Sequence, residues 1–118
     1  MNIRIQVRHE AAREAIQKHI TTEFEHVSKK FTDGESSTIV SAEFIVDQEG
    51  SNGHVKTFEA IIHVPNDTIT VKEHDPEVHK AIDAAMKVIE KLLTRHKEIY
   101  ARPGTLIRHN VERRAPSA

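Results

Sequence analysis

The sequence predicts an α+β domain of two layers, a four-stranded sheet with two helices on one face, in the order β-α-β-β-β-α. Three observations carry this. Apolar and polar residues alternate over 2–8, 38–46, 55–64 and 68–73, the period of half-buried strands. Over 10–31 and 75–100 the period lengthens to three or four, that of amphipathic helices. Each segment has one more polar side, so a single interface between sheet and helices can bury all the apolar sides together.

Taken in order, Ile3, Ile5 and Val7 share one side of the first strand. In the first helix, Ala12, Ile16, Ile20, Phe24, Val27 and Phe31 form the apolar stripe, and Lys29 and Lys30 complement the negative end of its dipole. TDGESS, residues 32–37, is turn chemistry, with Gly34 the expected helix stop. The second strand turns Val40, Ala42, Phe44 and Val46 inward, and residues 47–54 form a loop. The third strand turns Phe58, Ala60, Ile62 and Val64 inward. Pro65, Asn66 and Asp67 make a tight hairpin turn into a short fourth strand that buries Ile69 and Val71. The second helix opens with Asp75 as N-cap and Pro76 at its first position, and buries Val78, Ile82, Ala85, Ile89, Leu92, Leu93 and His96. A strand-helix-strand start makes the first two strands parallel by a crossover, and the rest pair as antiparallel hairpins. The open sheet face then carries Arg4, Gln6, Ser41, Glu43, Thr57, Glu59, His63 and Thr70, with Ile45 and Ile61 among them. The folded domain is expected over 1–100 and a basic flexible tail over 101–118.

Composition narrows the function. With four Phe, one Tyr and no Trp, the core is aliphatic and stacking surface for unpaired bases is scarce. There is no cysteine, hence no disulfide or thiolate metal site. No apolar run reaches the roughly 18 residues of a membrane span, and Met1 leads straight into a strand, so neither membrane nor signal peptide is expected. The overall charge of −1 conceals a segregation. Residues 1–86 hold nine Lys and Arg against fifteen Asp and Glu, a balance of −6; residues 87–118 hold eight against three, a balance of +5. An anionic partner for the C-terminal third follows.

The chemistry of enzymes is missing from the pattern. There is no glycine-rich phosphate loop, no serine at a strand-to-helix elbow and no carboxylate pair that must converge. No catalytic residue, cofactor or small-molecule substrate is expected. Nine histidines invite a metal, but His74 with His79, and His19 with His26, are five and seven apart, not the four that puts two imidazoles on one helix face. No metal site is expected from them. The second helix offers more. Lys80, Lys87, Lys91 and Arg95 recur at i, i+7, i+11 and i+15 on a face away from the apolar stripe. The last three form a ridge roughly 12 Å long. Lys97 widens the patch and His96 adds a proton-dependent donor. Such a ridge suits the phosphates of structured RNA, read by shape rather than by sequence.

AIDAAMKVIEKLLTRHK, residues 81–97, resembles the second helix of the ribosome-hibernation factors. These are the short hibernation-promoting factors and ribosome-associated translation inhibitors, also catalogued as modulators of an alternative sigma factor. Ala81, Ile82, Asp83, Leu93, Thr94, His96 and Lys97 match, IIHVPNDTITV is similar to the family's third and fourth strands, and Ala15, Ile16, Phe24 and Phe31 fall on apolar positions of helix one. The resemblance spans 1–100 and implies a fold similar to double-stranded-RNA-binding domains. It also implies a cytoplasmic protein that binds the small ribosomal subunit near the decoding channel. There it blocks the mRNA and tRNA sites and holds ribosomes inactive in stationary phase or stress. Lys91, Arg95, His96 and Lys97 match positions that are basic or flank ribosomal RNA. The chain departs from the pattern where Lys87 replaces a usual acid, Val88 a usual base, and Glu23 and His26 usual lysines. The alternative reading is a protein-protein regulatory module, for example one acting on the alternative sigma factor.

Overall fold

The structure is a computed structural model that describes residues 2–8, 12–33, 36–49 and 55–100. The expected tail, 101–118, lies outside the described residues, as do Gly34 and residues 50–54 of the expected loop. The elements are β1 (Asn2–Val7), α1 (Arg13–Lys29), β2 (Thr32–Asp33), β3 (Ser36–Ser37), β4 (Ser41–Glu49), β5 (Val55–Val64), β6 (Asp67–Asp75) and α2 (Val78–Tyr100). The main sheet runs β1-β4-β5-β6. β1 is parallel to β4, with Asn2 opposite Ser41 and Val7 opposite Val46. The other pairs are antiparallel hairpin partners. The predicted architecture stands; β2 and β3 add a two-residue ribbon between α1 and the sheet.

One core joins the layers. Ile16, Ile20 and Phe24 of α1, Phe44 and Val46 of β4, Phe58, Ala60 and Ile62 of β5, and Ile82, Ile89 and Leu93 of α2 are all buried in it. Since β4 and β5 contribute only alternate residues, both helices lie on one sheet face. Phe24 meets Phe44 edge-on at 4.9 Å, and Phe44 stacks on Phe58 at 5.7 Å. Three of the few aromatic rings therefore form the middle of the core, each fully buried ring contributing about 1.5–3 kcal/mol.

The ends of the elements depart from expectation for local reasons. α1 stops at Lys29, before Gly34, because Lys30 and Phe31 donate to Val27 and Ser28, a tightened last turn. β4 starts at Ser41, so the strict alternation does not extend back: Ile39 is 2% exposed and Val40 57%, the reverse of the expected facing. At its far end β4 runs on through Asp47, Gln48 and Glu49, paired with Thr57, Lys56 and Val55. Backbone pairing holds these polar residues in a strand where their side chains suggested a loop. Thr57, expected on the open face, is 5% exposed between its register neighbours Asp47 and His74. Ile3, on the edge strand, is left 37% exposed. The hairpin turn falls on Pro65 and Asn66, with Asn66 at φ 68°, the left-handed region that asparagine tolerates better than most residues.

Candidate nucleic-acid interface

α2 is fixed at both ends. The helix opens at Val78 rather than at Pro76, with the Glu77 carbonyl accepting from Ala81. Asp75, expected as N-cap, is instead the last residue of β6; its Oδ1 accepts from the Glu77 amide at 2.8 Å and ties down the lead-in to the helix. Near the other end, His96 Nε2 lies 3.0 Å from the Pro65 carbonyl oxygen. A carbonyl only accepts, so the ring carries its proton on Nε2 and donates. Between the two ends, Ile82, Ala85, Ile89 and Leu93 are buried against the sheet. At 100° per residue, burying that stripe turns Lys80, Lys87, Lys91 and Arg95 to the opposite side, within an arc of about 80°. All four are exposed. Lys80 Nζ sits 3.5 Å from Glu77, both side chains well exposed, a contact that solvent weakens. Among the described residues, Lys87, Lys91, Arg95 and Lys97 have no carboxylate within ion-pairing distance. Their charge faces solvent.

His96 does not belong to that crest. It is 2% exposed, on the sheet side, with burial pushing its pKa down and the Pro65 contact pulling it up. It was expected as a proton-dependent donor to RNA; the structure makes it the clasp that ties the last turns of α2 to the β5–β6 turn. Lys97 is exposed but stands off the arc, on the side where α1 would lie if it were longer.

α1 runs beside the first half of α2 in the same direction: His19 reaches Asp83 at 2.9 Å, and Lys30 pairs with Glu90. Between them lies an open groove of about 410 Å³, lined by Glu23, His26, Lys30, Asp83, Lys87 and Glu90. This side of α2 mixes both signs. One grouping here was missed in the sequence: His19, Glu23 and Asp83 hold a ligand atom each, all within 4.8 Å of one another, and the His79 ring stands 4.7 Å from that of His19. Comparing histidines only with histidines hid the signal. His19–Glu23 and His79–Asp83 are each four apart, one helical turn.

A four-stranded sheet backed by two helices, one of them bearing an exposed ridge of cations, defines a class of small two-layer α+β domain. The chain belongs to the sigma 54 modulation protein / S30EA ribosomal protein family, whose pattern matches residues 3–100. The family comprises ribosome-associated factors rather than enzymes. No curated protein sequence matches the chain. Among solved structures, the Protein Y N-terminal domain of Thermus thermophilus is similar at 23% identity and TM-score 0.66, over 81% of this chain and 99% of that one. A ribosomal subunit interface protein from Coxiella burnetii is similar at 16% identity and TM-score 0.68, over 83% of this chain and 99% of that one. At these identities the two structures speak for the fold. Among the described residues, no helix is long and apolar enough to cross a membrane.

Proposed function

We propose that this chain binds the small ribosomal subunit near the decoding channel, where ribosomal RNA walls a groove, and there blocks the mRNA and tRNA sites. It would act in the cytoplasm and hold ribosomes idle in stationary phase or stress. Family membership supports the ribosome as partner. The observation that carries the mode of binding is the crest of α2: Lys80, Lys87, Lys91 and Arg95 lie on one exposed arc, backed by a stripe that fixes the helix to the sheet. Such a crest supplies phosphate contacts, which give affinity and position without reading bases. Lys97 extends the contact and His96 supports it from beneath. The test is sedimentation of the purified chain with separated small and large subunits through sucrose. The chain is expected to travel with the small subunit at low salt and to be released as salt rises. Travel with the large subunit alone, or with neither, contradicts the proposal.

A further inference from the structure

We propose that His19, Glu23 and Asp83, with His79 beside them, form a binding site for a divalent transition ion of the zinc class that staples α1 to α2. Two helices supply it, each with a histidine and a carboxylate one turn apart. Side chains at that spacing project from one helix face, and parallel packing sets the two pairs opposite each other.

The distances suit an ion. Bond lengths of about 2.0–2.2 Å to nitrogen and oxygen place tetrahedral ligand atoms roughly 3.3 Å apart. Here His19 Nε2 and Asp83 Oδ1 are 2.9 Å apart, with Glu23 inside the same 4.8 Å set. Small side-chain rotations close the difference without moving either helix. The His19–Asp83 contact is a proton lying between two donor atoms, the place a metal takes when it displaces that proton. His79 meets the His19 ring edge-on at 80°, close enough for a side-chain rotation to bring a ring nitrogen in as fourth ligand.

Chemistry selects the ion. Two imidazoles and two carboxylates without thiolate suit a borderline ion such as Zn²⁺, whereas Ca²⁺ and Mg²⁺ call for oxygen alone. With neutral histidines the four groups carry a charge of −2, which a divalent ion cancels. His19 is 26% exposed and Asp83 52%, so an ion can enter from solvent. Lys87, one turn beyond Asp83, and Lys30, held by Glu90, are the nearby cations on the groove, and neither is an ion-pair partner of the cluster. A filled site fixes the bearing of α2 on α1 and removes negative charge from beside the crest.

The test uses the full chain. Zinc is titrated calorimetrically, and cobalt is titrated with visible absorption as a reporter of tetrahedral geometry. His19→Ala, Asp83→Asn and the remote control His74→Ala are compared, each checked for folding by circular dichroism. Wild type and H74A are expected to bind one ion per chain, and a hundredfold excess over Kd should raise Tm by about 10–13 °C. H19A and D83N should lose roughly tenfold or more in affinity and the tetrahedral cobalt bands. Absence of saturable one-to-one binding overturns the proposal. So does binding of equal strength in H19A and D83N, which would mean scattered capture by other histidines among the nine. None of these readouts involves ribosomes, so the result stands apart from the proposed function.

Discussion

The two halves of α2 have the same buried stripe and opposite surroundings. From His79 to Glu90 the helix lies against α1, and the carboxylates on that side meet partners, Asp83 with His19 and Glu90 with Lys30, while Lys87 stays on the exposed crest. From Lys91 to Lys97 the helix runs on past the end of α1, and its cations have no carboxylate within reach among the described residues. Charges that face α1 are thus absorbed into the fold, while the cations on the crest and beyond the end of α1 are left to solvent. What separates them is the length of α1, 17 residues against 23 for α2. Charge along a helix indicates function only after the neighbouring helix has taken its share.

The strongest way to break this contrast is to reverse the cations left to solvent, Lys87 on the crest among them. Lys87→Glu, Lys91→Glu and Arg95→Glu together should abolish co-sedimentation with small subunits, while Tm stays within a few degrees, since surface changes of this kind cost little. Reversing the absorbed half, by exchanging Lys30 and Glu90, should leave ribosome binding nearly intact. Next in size are substitutions under both halves. Ile89→Ala or Leu93→Ala opens a cavity in a fully buried stripe and should cost about 2–5 kcal/mol by denaturant unfolding.

His96 sharpens the comparison through pH. Its pKa is lowered by burial, so the unfolded chain takes up a proton more readily than the folded one. Its contribution is therefore whole above the ordinary histidine value of about 6.5 and declines as pH falls below it. Unfolding curves between pH 7.5 and 5 should show that decline in wild type and a flatter profile in His96→Leu. Smaller again is Asp75→Ala, which removes the hydrogen bond to the Glu77 amide ahead of α2 and should cost about 1 kcal/mol. Lys30→Ala, at a surface pair with Lys30 63% exposed, should cost roughly 0–1 kcal/mol.

Much of this was legible in the sequence because it rests on local period. The strands, both helices and the outward facing of Lys80, Lys87, Lys91 and Arg95 follow from spacing alone, and the parallel first pair from the strand-helix-strand crossover. The facing of Ile39 and Val40 was not legible, because a strand's period says nothing about where the strand begins. Asp47 to Glu49 read as loop since their strand character comes from pairing with β5, a contact no local pattern carries. His96 sat at the edge of the apolar stripe and was read both ways; only the arrival of Pro65, 31 residues away, decides it. The cluster at His19 and Asp83 joins residues 64 apart, and nothing short of knowing that α1 and α2 pack in parallel brings them together.

If the cations of α2 meet phosphates, the salt dependence of binding reports it most directly. Equilibrium binding to purified small subunits should be measured from low to physiological salt, for wild type and for the Lys87, Lys91 and Arg95 triple replacement by alanine. A steep fall of log K with log salt is expected for wild type, with the slope shallower by roughly two to three units in the variant. A slope that is the same in both proteins, or binding indifferent to salt, would contradict it.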